Sequence, residues 1–187
     1  MTTGFVKRWD SIDPSGFSKE YLGFLENVEA AKKDPNLALE YATEVVRGRF
    51  PEGEQAILDA YLNCRSHAVE YARTILKGRW LEFESLVIQN LNAPHPQSYA
   101  MAEIVLEYVV NIDLPNGIRE EFEPLLAKYP SIAFNYALLV LKRDFPQGEP
   151  AMATSVPTLY RYATEVLKGK LPRNLHRIML ADGVKNS

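Results

Sequence analysis

The sequence predicts an all-α chain: an α-solenoid, or curled array, of about five helix–turn–helix repeats behind an N-terminal capping helix. Three observations carry that expectation. The stretch YATEVVRGRFPEGEQAIL (Tyr41–Leu58) returns thirty residues later as YARTILKGRWLEFESLVI (Tyr71–Ile88). Within each copy, apolar residues recur at helical three-to-four spacing. Between the two apolar stripes of each copy stand a glycine and then an aromatic, the punctuation of a tight turn.

The 187 residues accommodate one repeat domain, divided as 1–33 (cap), 34–63, 64–93, 94–130, 131–154 and 155–181, with 182–187 as a tail. The cap is Phe17–Lys33, whose Phe17, Tyr21, Phe24, Leu25 and Val28 form a stripe after a turn at Asp13–Gly16. In the first repeat Asp34 is an N-cap and Pro35 suits the first helical position. Leu37, Ala38, Tyr41, Ala42, Val45 and Val46 form its apolar stripe, and Gly48 is expected to end the helix in a left-handed conformation. Pro51 restarts the chain as a second helix, with Glu52 and Glu54 complementing its dipole and Ile57, Leu58, Tyr61 and Leu62 as its stripe.

The second repeat follows suit through Gly78, Trp80, Phe83, Leu86, Val87 and Leu91. The third aligns Met101-Ala102 with Tyr71-Ala72 and, after a break at Val110–Gly117, Asn116–Leu126 with Lys77–Val87. The fourth has Tyr136-Ala137, with Arg143 where glycine is expected, so its helix should close differently or hold the arginine in a strained backbone. The fifth has Tyr162-Ala163 before Lys168-Gly169-Lys170. Ser131 and Ser155 are the expected N-caps of the last two first helices, and Leu175–Leu180 should close the far end. Ala42, Ala72, Ala102, Ala137 and Ala163 let a neighbouring helix approach closely, while Phe50, Trp80 and Phe145 should pack back under their hairpins.

VVRGRFPEGEQAI, ILKGRWLEFESLV and VLKRDFPQGEPAM resemble a repeat of proteins from tailed bacteriophages and some bacteria. That unit runs Tyr-Ala, then Lys-Gly-Arg-Trp-Pro-Glu, then an acidic helix. The likeness covers most of Asp34–Pro172 and departs at Leu81, at the stretched third repeat with its lost aromatic, and at Arg143. It implies a phage or bacterial origin and a cytoplasmic location, and it assigns no activity or site residue.

Bulk properties narrow the function classes. A net charge of −3 and a pI near 5.7 argue against a generic nucleic-acid binder. Cys64 is the single cysteine, so no intrachain disulfide can form, and a reducing compartment is expected. MTTGFVKRWD lacks the apolar core of a signal peptide, and no apolar run is long enough to cross a bilayer. His67, His95 and His176 fall in different repeats without metal-ligand spacing, and Cys64 reads as a packed thiol. No metal, cofactor or catalytic motif is expected. The acidic pairs Glu52/Glu54, Glu82/Glu84 and Glu121/Glu123 recur at every turn, which points to structure and away from a catalytic dyad.

One constellation is left after that accounting. Arg47/Arg49, Lys77/Arg79, Lys142/Arg143 and Lys168/Lys170 flank the same turn in four repeats and would line one edge of a stack. They cap their helices and pair with nearby glutamates, or they form a docking edge. The expected function is non-enzymatic binding of a protein partner, such as a phage protein acting on a host factor. The alternative is a nucleic-acid-binding repeat using the basic ladder; an enzyme whose residues converge from several repeats is a third. Leu91–Tyr99 and the Val110–Gly117 break either carry specific function or are tolerated insertions.

Overall fold

The computed structural model describes residues 27–63, 65–90 and 98–169. The described residues are helical, with no strand among them. The Asp13–Gly16 turn, Cys64, the Leu91–Gln97 stretch with His95, Lys170 and the C-terminal Leu175–Leu180 and tail lie outside them, as does most of the capping helix, of which residues 27–31 are helical. The chain divides into two compact units, Met1–Ile57 and Leu58–Ser187.

In the first unit Asp34 caps as expected: its Oδ1 accepts the N–H groups of Asn36 and Leu37 at 2.9 and 3.0 Å. The helix that follows is α-helical over Pro35–Glu40 and then changes to π-helical winding over Tyr41–Val46. Ala38, Tyr41 and Ala42 are buried, whereas Leu37, Val45 and Val46 are over 40% exposed, so the apolar stripe is narrower than the sequence suggests. Tyr41 packs on Phe50, with ring centroids 4.9 Å apart. A Cβ on Gly53 would lie 2.4 Å from the Phe50 ring, so only glycine lets this ring fold under the hairpin.

The second unit repeats that hairpin. Arg65–Glu70 continues as the π-helix Tyr71–Leu76, Pro130–Asn135 as Tyr136–Leu141, and Val156–Arg161 as Tyr162–Val166. π-helix is rare and occurs mostly as single bulges; here it recurs four times, beginning at the tyrosine each time. Threonine hydroxyls donate to carbonyls four residues back where the winding changes, from Thr43 to Leu39, Thr74 to Glu70 and Thr164 to Tyr160. Tyr71 packs on Trp80 at 4.9 Å and Tyr136 on Phe145 at 5.1 Å. The five repeat alanines are all buried, and within this unit Arg65–Glu70 packs on Ser98–Asn111, Ser98–Asn111 on Pro130–Asn135, and Pro130–Asn135 on Val156–Arg161. Arg161 also stacks its guanidinium over the Phe134 ring of the preceding repeat, 4.5 Å from the centroid.

Each π-helix is followed by a left-handed residue, which in the first two repeats is not the glycine; in the fifth, Gly169 is left-handed as well, with φ 81°. Arg47, Lys77, Lys142 and Lys168 have φ of 51–54°, whereas Gly48 and Gly78 have no positive φ. The extra residue of the π turn moves the closing position back by one. The Ala42 carbonyl accepts both Arg47 N–H and Gly48 N–H, and Ala72 serves Lys77 and Gly78 likewise. Arg143 therefore replaces a glycine that was not needed for its φ, and the fourth π-helix is likewise followed by a left-handed cation, Lys142. Lys77→Gly is expected to leave stability unchanged or raise it by about 1 kcal/mol, because a left-handed Cβ is removed. Gly78→Ala should cost less than about 0.5 kcal/mol, since a Cβ there meets nothing within 4 Å. Thermal unfolding of the two variants checks the assignment; the reverse order would refute it.

The third repeat differs from its alignment. Ser98–Asn111 is one long α-helix without a π segment, and Asn116–Leu126 is the next. Val110–Gly117 is thus no free loop: only residues 112–115 lie between helices, with Ile112 and Leu114 buried. Ser155 occupies the N-cap position expected, though its hydroxyl meets Thr158 Oγ1 at 2.9 Å and caps no backbone N–H; Ser131 does not, because Pro130 takes the first helical position and the cap falls on Tyr129.

Candidate functional site

The eight ladder cations separate into distinct environments. Arg49 and Arg79 turn onto buried glutamates, their own side chains 50% and 32% exposed. Arg49 meets Glu54 through Nε and Nη2 at 2.7 and 2.9 Å, and Arg79 grips Glu84, its closest contact being Nη2 at 2.6 Å. Glu54 and Glu84 are 7% and 2% exposed. The repeated acidic pairs are therefore unequal: Glu52 and Glu82 face solvent, while Glu54 and Glu84 are buried receptors for arginine. The Glu84 carboxylate beside Arg79 pushes the guanidinium pKa upward.

Tyrosines of the following repeat complete this network. The Tyr108 hydroxyl accepts the Trp80 N–H at 2.8 Å and donates to Glu84 at 2.8 Å. The Tyr162 hydroxyl treats Phe145 N–H and Glu149 in the same way, at 2.8 and 3.2 Å. Tyr136 donates to Glu123 at 3.0 Å, and Gln147 reaches the other Glu123 oxygen at 3.2 Å. Each link ties one repeat to the next by satisfying a buried acid or N–H. Burial raises the pKa of Tyr108 and Tyr136 beyond the usual phenol range and pushes Tyr162 up to about 12. In the long third-repeat helix it is Tyr108, not the aligned Met101, that makes this link; Met101 is instead buried and takes the Tyr61 hydroxyl on its sulfur.

The fourth repeat lacks the arginine. Asp144 stands in the place of Arg79, and among the described residues Glu149 has Tyr162 alone as a side-chain hydrogen-bond donor. Burial, then the Asp144 charge, raise the Glu149 pKa above the ordinary 4.5, while Tyr162 opposes them. A folded-state pKa above the unfolded value means the folded chain binds the proton more tightly. Stability contributed by this site is then greatest below the unfolded value and falls as pH rises through the folded one. Glu149→Gln is expected to match the parent chain in acid and to exceed it at neutral pH, by less than about 1 kcal/mol because the site is partly solvated. Urea unfolding at both pH values tests this; a variant less stable at neutral pH refutes it.

Arg47, Lys77, Lys142 and Lys168 differ from the arginines that follow them. All four are exposed, and none makes an ion pair among the described residues. Each follows two aliphatic residues (Val45-Val46, Ile75-Leu76, Val140-Leu141, Val166-Leu167) that are exposed or half-buried, while Phe50, Trp80 and Phe145 are buried. Arg143 is exposed at the fourth turn, and Lys170 lies outside the described residues. Sequence reasoning missed the split between inward and outward cations, because it depends on the π turn.

Beside the fourth turn lie two adjoining clefts of about 220 and 320 Å3 that share Arg119 and Val140. Their linings provide guanidinium, carboxylate, amide and aliphatic groups, with no thiol, imidazole or serine-type hydroxyl. His67 is half-buried in Arg65–Glu70, away from these linings. Among the described residues no cluster of histidine, cysteine and acidic residues could hold a metal ion, and no helix is long and apolar enough to cross a membrane. Comparison with protein-family models, curated proteins and solved structures finds no match to this chain.

Proposed function

We propose that the chain is a helical-repeat protein of solenoid type that binds a protein partner through the edge formed by its hairpin turns. The left-handed cations carry this reading. A non-glycine residue in that conformation costs about 1–2 kcal/mol, and a cation at a helix C-terminus regains only about 0.3–1 kcal/mol. Four repeats nonetheless hold Arg47, Lys77, Lys142 or Lys168 there, without an internal ion pair. Strain retained at one position of every such repeat marks side chains that act outward.

The flanking residues favour protein over nucleic acid. Single-stranded nucleic acid is held by exposed aromatic platforms between cations, whereas here Phe50, Trp80 and Phe145 beside the turns are buried and aliphatic pairs accompany each cation. The complementary partner presents carboxylates interspersed with aliphatic side chains. The likeness of the repeat to phage and bacterial proteins adds the expectation of a bacterial cytoplasm and a host factor as partner.

The test is recovery of partners from bacterial lysate on the immobilised chain, with nuclease, against a Lys77→Glu/Lys142→Glu/Lys168→Glu variant. A nuclease-resistant protein held by the parent and lost by the variant is expected. Recovery that disappears with nuclease, with affinity for nucleic acid falling steeply as salt rises, would replace this reading by the nucleic-acid one. Equal recovery on both chains would remove the edge from consideration.

A further inference from the structure

The clefts beside the fourth turn arise where the repeat is broken. In the third repeat Arg119 stands at the position held by Trp80 in the second, where the buried aromatic would fill the hairpin. In the fourth, Arg143 stands at the position of Gly78. Both departures are arginines, and both line the same cleft. Unlike Arg49 and Arg79, neither donates a side-chain hydrogen bond to a carboxylate among the described residues. Arg119 gives Nη2 to the Leu114 carbonyl at 2.9 Å, lies 3.9 Å from the fully exposed Asp113, and keeps its buried Nε without a hydrogen-bond partner. Arg143 makes no ion pair among the described residues. The nearest buried acid, Glu123, already receives Tyr136 and Gln147 on its two oxygens.

A buried guanidinium N–H without an acceptor is costly and calls for one. The planar fork of arginine matches a carboxylate best. The adjoining cleft mixes charged and aliphatic groups: Asp113, Arg119 and Lys142 line it, and Val110 and Leu139 are 45% and 50% exposed at its wall. Each volume suits about one side chain, the smaller lying below and the larger at the lower limit for a small-molecule site. We propose that this junction is the anchor for an acidic–aliphatic segment of a protein partner, its aspartate or glutamate carboxylate lying between Arg119 and Arg143 and its neighbouring aliphatic side chain on Val110 and Leu139. The inference rests on the protein-binding reading above and specifies where on that surface recognition is concentrated.

The probe is N-acetyl-Leu-Glu-Leu-amide, titrated while the arginine Nε–H and the Val110 and Leu139 methyl NMR signals are followed. Saturable shifts at both arginines and both methyls are expected, with millimolar affinity appropriate to an isolated anchor. N-acetyl-Leu-Gln-Leu-amide should bind about tenfold more weakly. Arg143→Gly restores the residue that the first two repeats carry, so the fold is retained, and it should reduce the affinity about tenfold. Equal binding of the two peptides, shifts confined to residues outside the cleft, or no saturation by about 20 mM would overturn the proposal. Tighter binding of N-acetyl-leucine or inorganic phosphate would overturn the choice of a side-chain carboxylate. Lys77→Glu/Lys168→Glu leaves the cleft intact and should bind the peptide like the parent. A failed edge with an intact anchor, or the reverse, can therefore be told apart.

Discussion

Replacing Arg79 with methionine is expected to destabilise the Leu58–Ser187 unit by about 3 kcal/mol. Truncating one member of a buried pair leaves the other charge without compensation, at about 3–5 kcal/mol. The lower end applies because the Arg79 side chain is 32% exposed and Tyr108 still donates to Glu84. The double variant Arg79→Met/Glu84→Leu should recover most of that loss, because an apolar pair removes the stranded carboxylate along with its partner. Urea unfolding read by Trp80 fluorescence in a Trp9→Phe background measures both. If the double variant is as unstable as the sum of its single variants, the pair is not the source of the cost.

Tyr108→Phe is expected to cost about 2–3 kcal/mol through two orphaned groups. The Trp80 N–H loses its acceptor, and Glu84, 2% exposed, loses a donor. Each unsatisfied buried group costs about 1–3 kcal/mol, and the residual arginine contacts to Glu84 reduce the second share. Tyr162→Phe removes the same two bonds at Phe145 and Glu149, but Glu149 is partly solvated and water can replace one of them. Its cost should be about half as large. Equal effects at the two tyrosines, or a Tyr108→Phe loss under about 0.5 kcal/mol, would remove the repeat-to-repeat hydrogen bonds as determinants of stability.

These networks show why the acidic pairs were only half legible. Glutamate in the first turn of a helix reads as a dipole charge, and Glu52 and Glu82 are indeed exposed. Their partners Glu54 and Glu84 are on the same turn but point at an arginine five residues earlier, a relation across the hairpin that no helical periodicity encodes. The tyrosine beside each repeat alanine was expected to be a groove filler. It is one, against Phe50, Trp80 and Phe145, and in the fourth and fifth repeats its hydroxyl also reaches back into the preceding repeat.

Tyrosine, small residue, glycine, aromatic and acid-led helix recur at near-constant spacing, and from those alone follow an all-helical chain, its hairpin boundaries to within a residue or two, and the buried alanine and aromatic positions. Local chemistry suffices for this, because capping, helical periodicity and turn closure act within about one hairpin. The tertiary structure decided three further matters: that the last turns of four first helices are π-helical, that a cation takes a left-handed position ahead of the glycine site, and that Arg49 and Arg79 pair with buried glutamates while Arg47, Lys77, Lys142 and Lys168 make no ion pair among the described residues. One extra residue in a helical turn is invisible to a pattern of three and four. It still rotates every later side chain by about 100°, and so it sets which charges the fold consumes and which it presents.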